Sequence, residues 1–232
     1  MTFIPNGAGL LPEHTNPRQV PRGLRRFAAP APRAAPAQEH CELCGETLGA
    51  THPHMVDPRN RSIACACTAC ALLFTRPAGR YRTVPDRVCD DPRAPLTDAE
   101  WAELRIPVAI AFFFLNSSLG RIVASYPSPA GVTECELDLA AWEDVAATRP
   151  LLRALAPDAE AILVIRAQPA AGRDHTVSIE TFLIPVDTCY ALAGALRMNW
   201  RGFDGGTEVR RILAAFLADL RGRARTLEAI PG

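Results

Sequence analysis

The chain contains 232 residues, of which 48% are hydrophobic and 22% are charged, and its formal net charge is zero. This composition is typical of a globular protein, but it lacks the excess of positive charge on which non-specific nucleic-acid binding depends. The longest apolar run covers residues 106–115, and a membrane-crossing helix needs about 20 residues. The sequence therefore argues against a nucleic-acid-binding protein and against a membrane-spanning protein.

Residues 1–39 are rich in proline and arginine and show no helical or strand periodicity. This composition predicts a disordered arm, with a docking tail for a partner as the alternative. Arg25 and Arg26 precede prolines and a further arginine instead of an apolar stretch, so no export signal is expected. The eight cysteines are clustered and not spread as a disulfide framework, which is typical of a reducing compartment and predicts a cytoplasmic protein.

The segment 40–75 contains the pattern C-x2-C-x22-C-x2-C, which is formed by Cys41, Cys44, Cys67 and Cys70. A segment this short, with few large apolar side chains, usually needs a metal ion or disulfides to fold. Two cysteine pairs with this spacing are typical of a four-thiolate metal site. Gly45 follows the first pair, where a tight turn favours a residue that tolerates positive φ. The sequence predicts a metal-binding module with these four cysteines as ligands.

Three further residues are reserve ligands of the same site. Cys65 lies two positions before Cys67, which is an awkward spacing for a chelate in an extended segment. His52 and His54 could replace one thiolate, since Cys3His sites are common. Their position midway between the cysteine pairs favours exposure at the tip of a hairpin. Four thiolates suit one zinc ion, the default, and they suit a single iron ion of the rubredoxin kind as the alternative.

A polar, proline-punctuated linker is predicted for residues 76–95, and an α+β domain for residues 96–229. Thr97 and Glu100 form a capping-box pattern, which predicts the start of a helix. The near-continuous apolar run at 108–115 predicts a central strand that is buried on both faces.

The rest of this domain shows further strand and helix patterns. Strands are predicted at 120–127, 132–139, 159–168 and 174–185, the last two joined by a turn at 169–173, and helices at 139–155, with a break near Pro150, at 187–200 and at 206–228. Because strands and helices do not alternate strictly, the expected fold is α+β: a mostly antiparallel sheet with covering helices on one side. A small zinc-ribbon-like or rubredoxin-like module precedes this domain.

Two loops mix aromatic residues with glycine and proline, which is typical of rigid recognition loops. Their candidate partner or ligand residues are Tyr126, Trp200, Arg201, Asp204, Gly205 and Gly206. Free amides at the start of the following helix could bind an anion; the alternative is that the glycines only turn the chain and cap the helix. No familiar catalytic or nucleotide-binding motif occurs in the sequence, which argues against an enzyme without excluding one.

The chain resembles an uncharacterised bacterial family in four stretches: CELCGE to CACTACALLF (41–74), IPVAIAFFF (106–114), YPSPAGVTECEL (126–137) and FLIPVDTCYALAGALRMNWRGFDGGTEV (182–209). Genes of that family lie beside those of actinobacterial-type, oxygen-tolerant nickel–iron hydrogenases. The resemblance implies an accessory role in hydrogenase maturation, assembly or electron delivery, with a hydrogenase subunit or a maturation factor as the protein partner. It supplies no catalytic residues.

These observations favour a non-enzymatic, metal-binding accessory protein whose cysteine module and α+β domain dock on a protein partner. The first alternative is a rubredoxin-like electron-transfer protein with iron in the four-cysteine site. The second is a zinc-ribbon regulator that binds nucleic acid, which the neutral charge and the lack of a basic aromatic face disfavour.

Overall fold

The computed structural model describes residues 38–76, 79–167, 178–202 and 205–227. Within these ranges the protein has two β-sheets, of three and seven strands, and six helices. The predicted α+β class with a mostly antiparallel sheet is confirmed. The arm predicted for residues 1–39 lies outside the described residues except for its last two positions, and the turn predicted at 169–173 lies outside them entirely.

The strands are β1 (His54–Asp57), β2 (Ser62–Cys65), β3 (Arg82–Thr83), β4 (Cys89–Asp90), β5 (Ile110–Asn116), β6 (Arg121–Ser128), β7 (Gly131–Cys135), β8 (Glu160–Ala167), β9 (Ser178–Pro185) and β10 (Arg225–Thr226). The helices are α1 (Thr68–Phe74), α2 (Asp98–Glu103), α3 (Leu139–Ala147), α4 (Pro150–Arg153), α5 (Val186–Asn199) and α6 (Gly206–Arg223). None of these described helices has the length and apolarity that a membrane span requires.

The small sheet has the strand order β2-β1-β3, and α1 follows β2. β1 and β2 form an antiparallel hairpin in which His54 lies opposite Cys65. Met55 of β1 is fully buried in a small core that it shares with Ala71 of α1. Apart from Met55, the buried residues of this core are only alanines and cysteines, so little apolar surface holds the module together.

The large sheet has the strand order β10-β4-β9-β8-β5-β6-β7, and every neighbouring pair is antiparallel except β10 and β4. Successive side chains of a strand point to opposite faces, so Phe113 and Phe112 of β5 enter two separate cores. Phe113 lies with residues of α2, α3 and α4, and Phe112 lies with residues of α5 and α6. The prediction that helices cover one side is wrong, because the apolar runs of the central strands present apolar side chains on both faces.

The helix start predicted at Thr97 is confirmed. The hydroxyl of Thr97 accepts a hydrogen bond from the amide of Glu100 at 3.3 Å, and the amide of Thr97 donates to Oε2 of Glu100 at 2.8 Å. The guanidinium of Arg149 also donates to Glu100, at 2.7 Å. Since Arg149 directly precedes α4, the capping box of α2 also ties these two helices together.

Two described elements end four or more residues before their predicted positions. The strand predicted at 132–139 ends at Cys135, and the last helix ends at Arg223 instead of residue 228. Directly after that helix, Arg225 of β10 pairs in parallel with Cys89 of β4. A strand of two residues has no periodicity that a sequence could display, so only the pairing across the fold reveals it.

The cysteine module packs against the large sheet and α5. Val56 of β1 shares a buried cluster with Ala159 and with Val186, the first residue of α5. Arg61, in the turn between β1 and β2, forms an ion pair with Glu134 of the edge strand β7. These contacts place the module beside the start of α5.

Candidate metal centre

Four cysteines of the module meet around one point. Cys41 and Cys44 lie before β1, Cys67 directly precedes α1, and Cys70 lies in the first turn of α1. Their sulfur atoms all lie within 4.8 Å of one another. Cys41, Cys67 and Cys70 are buried, Cys44 is exposed, and none of the four forms a disulfide. The structure thus brings together the four residues predicted from their spacing, and this cluster could bind a metal ion.

The sulfur spacing fits tetrahedral coordination. The Sγ atoms of Cys44 and Cys67 are 3.8 Å apart. With metal–sulfur bonds of about 2.3 Å, two thiolates of a tetrahedron are about 3.8 Å apart, whereas a disulfide has an S–S bond of about 2.05 Å. Four tetrahedral thiolates suit zinc and also iron, so the donor set fits either metal.

Backbone hydrogen bonds shape the first cysteine turn. The amide of Gly45 donates to the carbonyl of Cys41 at 2.8 Å, and the amide of Cys41 donates to the carbonyl of Glu46 at 2.7 Å. Gly45 has a φ of +79°, a left-handed conformation that glycine adopts without steric cost. The turn therefore depends on the glycine that follows the first cysteine pair.

The second cysteine pair lies at the N-terminus of α1. Cys67 is the N-cap residue, and its Sγ accepts a hydrogen bond from the amide of Cys70 at 3.4 Å. Glu42 joins this half of the site to the first turn. Its amide donates to the carbonyl of Cys65 at 2.9 Å, and its Oε1 accepts from the amide of Cys65 at 2.8 Å. These bonds fix the two cysteine pairs relative to each other.

The thiols of the cluster differ in acidity. A hydrogen bond from the backbone of Cys67 lowers the pKa of Cys41 to about 6. Burial raises the pKa of Cys70 to about 12, and hydrogen bonding with Cys67 acts in the same direction. The thiolate and not the thiol is the metal ligand, so a metal ion bound here displaces the protons of the buried thiols.

The three reserve residues lie in a second group. One ring nitrogen of His52, one of His54 and the Sγ of Cys65 lie within 4.8 Å of one another, and none of the three belongs to the four-cysteine cluster. The expectation that both histidines are exposed at a hairpin tip is wrong: their side chains are only 7% and 30% exposed. The tip of the hairpin is at residues 58–61, whereas His54 begins β1 beside α5.

A carboxylate from the α+β domain lies against this second group. Oδ2 of Asp187, in the first turn of α5, is 2.6 Å from Nδ1 of His54. The amide of Thr188 donates to Oδ1 of Asp187 at 2.6 Å, which orients the carboxylate. No sequence pattern predicted this contact, because the two residues are far apart in the chain and only the packing of the module on α5 joins them.

The predicted recognition residues Tyr126 and Trp200 lie on separate elements. Tyr126 belongs to strand β6, opposite Thr133 of β7, and not to a loop. Trp200 follows α5, and its indole Nε1 donates to the carbonyl of Gly202 at 3.0 Å. Each of these aromatic residues therefore has a structural role in a strand pair or in a turn.

The two glycines at the start of α6 turn the chain. Gly205 and Gly206 have φ values of +81° and +78°, and a Cβ on Gly205 would lie 2.9 Å from the side chain of Val209. The amide of Arg201 donates to the carbonyl of Gly205 at 3.2 Å, which closes the turn. Asp204 lies outside the described residues. A ligand-binding role for this loop stays a prediction.

An apolar patch on α1 has no counterpart in the sequence prediction. Leu72, Leu73 and Phe74 are 76%, 56% and 46% exposed, and we name these three residues the α1 patch. The same helix buries Cys70 and Ala71. The sequence did contain a signal for this patch, since three large apolar residues follow shortly after the second cysteine pair. A short helix over a small core cannot bury all three.

A family model described as a family of unknown function, DUF5947, matches residues 40–224. The match begins at the cysteine module and extends to the end of α6, so it includes both the four-cysteine cluster and the large sheet. A search of curated proteins and a search of solved structures found no match.

Proposed function

The chain belongs to the DUF5947 family of unknown function, and we propose that it is a non-enzymatic, metal-binding accessory protein. One metal ion, zinc in the first place, is held by the four-cysteine cluster and orders the cysteine module as a docking surface for a protein partner. The observation that carries the proposal is the group of four sulfur atoms within 4.8 Å of one another, at the base of the helix that bears the α1 patch.

The metal ion is the main stabiliser of the module in this proposal. The buried core of the module consists of Met55, two alanines and three cysteines. Full burial of one methionine side chain contributes about 1.5–3 kcal/mol, whereas a structural zinc ion contributes about 10–16 kcal/mol to a small domain. The ion also links the two cysteine turns, and α1 begins at one of them.

The α1 patch supports docking on a protein. Contiguous exposed apolar side chains on a protein surface are typical of interaction sites. Because Cys67 caps α1 and Cys70 lies in its first turn, a bound metal fixes the start of the helix and the direction in which the patch points. An apolar groove on the partner would remove these three side chains from water and provide the free energy of association.

The proposed partner is a subunit or a maturation factor of a nickel–iron hydrogenase. This part of the proposal depends on the sequence resemblance described above. One of the stretches that carry the resemblance, residues 41–74, contains all four cysteines and the α1 patch. The features on which docking depends are thus among those that carry the resemblance.

A rubredoxin-like electron carrier is the second candidate, and the exposure of one cysteine favours it. Cys44 is exposed while the other three cysteines of the cluster are buried. With iron in the site, a sulfur ligand near the surface would shorten the electron path to a redox centre of a partner. Zinc in the same site has no redox chemistry, so the identity of the metal separates the two candidates.

Elemental analysis of the purified full-length chain, with its visible absorption spectrum, tests both candidates. A colourless protein that contains zinc supports the accessory function. A red protein that contains iron, with thiolate-to-iron charge-transfer absorption, supports electron transfer. A chain without any tightly held metal refutes both.

Docking is tested by Leu73→Glu in the α1 patch, with binding to a purified hydrogenase subunit or maturation factor as the measurement. Burial of one leucine is worth about 1.5–3 kcal/mol, so the dissociation constant should rise by about 10- to 140-fold. The matched control is Leu119→Glu in the turn between β5 and β6, where the leucine is 54% exposed. Equal affinity of the two variants would refute the α1 patch as the docking surface.

A further inference from the structure

Two histidines and one cysteine converge where the module meets α5. We propose that His52, His54 and Cys65 form a second site for a divalent transition-metal ion, separate from the four-cysteine cluster. Two imidazoles and one thiolate are ligands that suit Zn²⁺. Three protein ligands leave the fourth tetrahedral position to water or to a small ligand, as at zinc sites that carry out chemistry.

The hairpin of β1 and β2 places the three ligands on one side. His54 lies directly opposite Cys65 in the antiparallel register, and residues that face each other in this way have Cβ atoms about 4.5–5.5 Å apart. His52 precedes His54 by two positions, the spacing that puts extended residues on one face. The candidate ligand atoms lie within 4.8 Å of one another. Around one zinc ion they would be about 3.3–3.8 Å apart, so metal binding has to draw them together by at most about 1.5 Å.

His52 presents a buried nitrogen lone pair to this group. Its Nδ1 is 3.0 Å from the carbonyl oxygen of Gly49. Because a carbonyl only accepts, Nδ1 carries a proton, and in the neutral ring Nε2 then carries the lone pair. Nε2 is buried and has no hydrogen-bond partner among the described residues. The carboxylate of Glu39, 3.7 Å away, is beyond hydrogen-bond distance. A metal ion would satisfy this nitrogen.

His54 is oriented as a metal ligand by a carboxylate. Its Nδ1 pairs with Oδ2 of Asp187 at 2.6 Å, which leaves Nε2 as the nitrogen available for coordination. Ligating histidines usually donate their other ring N–H to a carboxylate or a carbonyl, which fixes the tautomer and makes the ligating nitrogen more basic. His52 and His54 each show one of these two partners.

The surroundings of the site are acidic. Oε2 of Glu39 lies 3.7 Å from Nε2 of His52, and Oε1 of Glu42 accepts from the amide of Cys65 at 2.8 Å. Asp187 adds a further negative charge beside His54. Because like charges repel, carboxylates around an imidazole–thiolate group destabilise the empty site with its thiol deprotonated, and a bound cation relieves this repulsion. The charge distribution therefore agrees with a divalent ion.

A cleft gives the site access to solvent. It has a volume of about 270 Å³, and its lining includes both histidines, Asp187, Asp86 and Arg223. Nη2 of Arg223 is 3.5 Å from Oδ1 of Asp86. The open coordination position of the metal would face this cleft, where a water molecule or a small ligand has room.

Metal stoichiometry of the full-length chain tests the site. After incubation with excess Zn²⁺ and removal of loosely bound ions, the wild-type chain should retain two ions and His52→Ala/His54→Ala should retain one. With Co²⁺ as a spectroscopic substitute, the wild-type spectrum should contain a second component with thiolate and nitrogen ligands that the variant lacks. Equal stoichiometry and equal spectra of the two proteins would overturn the proposal.

Asp187→Asn tests the same site with all three ligands in place. Loss of a carboxylate that orients a ligating histidine weakens metal binding by about 10- to 100-fold, so the second Co²⁺ ion should bind that much more weakly while the first is unaffected. Asp144→Asn, which removes an exposed carboxylate of α3 outside this cleft, is the control and should bind as the wild type. An equal effect of both substitutions, or no effect of Asp187→Asn, overturns the proposal, even if the histidine variant unfolds the module.

Discussion

Removal of the metal from the four-cysteine cluster should unfold the cysteine module while the seven-stranded sheet stays folded. The two cores of the large sheet contain none of the four cysteines. In the core of the module, by contrast, three of the six buried residues belong to the four-cysteine cluster. Metal loss therefore removes the main support of one part of the chain and leaves the packing of the other part intact.

The composition of the module determines the size of this effect. Met55 is its largest fully buried side chain, and its burial contributes about 1.5–3 kcal/mol. A structural zinc ion contributes about 10–16 kcal/mol. Since a factor of ten corresponds to about 1.4 kcal/mol, a loss of about 10 kcal/mol raises the equilibrium constant for opening by about seven orders of magnitude. The burial of Met55 alone does not compensate for a change of this size.

Hydrogen exchange measured by mass spectrometry, with and without a strong chelator, resolves the two parts of the chain. Amides of β1 and β2 should exchange as in an unfolded segment after chelation, and amides of β8 and β9, which pair over eight residues, should remain protected. Cys41→Ser/Cys44→Ser should reproduce the effect of the chelator. Cys135→Ser, at a half-buried cysteine outside both groups, is the matched control. Unchanged protection of β1 and β2 without metal would refute the reasoning.

Four further substitutions test the packing of the large sheet and its helices by thermal and urea denaturation. Gly205→Ala should destabilise the fold by about 1–3 kcal/mol, because φ is +81° and the new Cβ would lie 2.9 Å from a side-chain carbon of α6. Gly222→Ala should instead stabilise α6 by about 0.5–1 kcal/mol, because a Cβ there has nothing within 4 Å. Arg87→Ala should cost about 3–5 kcal/mol, because it leaves the fully buried carboxylate of Glu160 without its ion pair; unchanged stability would mean that the pair contributes nothing. Thr97→Ala should cost about 1 kcal/mol through loss of the capping box, and a wild-type melting temperature would contradict that role.

Local patterns in the sequence predicted the parts of the fold that depend on neighbours in the chain. The cysteine spacing, with Gly45 after the first pair, singled out the four residues whose sulfur atoms meet. The apolar run of β5 predicted a strand with both faces buried, and Thr97 predicted the start of α2. Each of these signals is a spacing or a periodicity within about one turn or one strand, which a single sequence displays.

Contacts between distant segments were not predictable in this way. The pairing of His54 with Asp187 and that of Arg61 with Glu134 exist because the module packs on the start of α5 and on the edge of the sheet. The second layer of helices, by contrast, was predictable from the sequence. A strand with two apolar faces, as predicted for β5, requires helices on both sides of the sheet. This requirement contradicts the prediction that helices cover only one side.

The most direct test of the proposed metal site is a metal count on the purified full-length chain and on two matched variants. We expect a tightly held ion that is retained in His52→Ala/His54→Ala and lost in Cys41→Ser/Cys44→Ser, with a colourless solution if the ion is zinc and a red one if it is iron. A wild-type chain that holds no metal, or an ion at this site that survives the loss of Cys41 and Cys44, would contradict the assignment of the four-cysteine cluster as the metal centre.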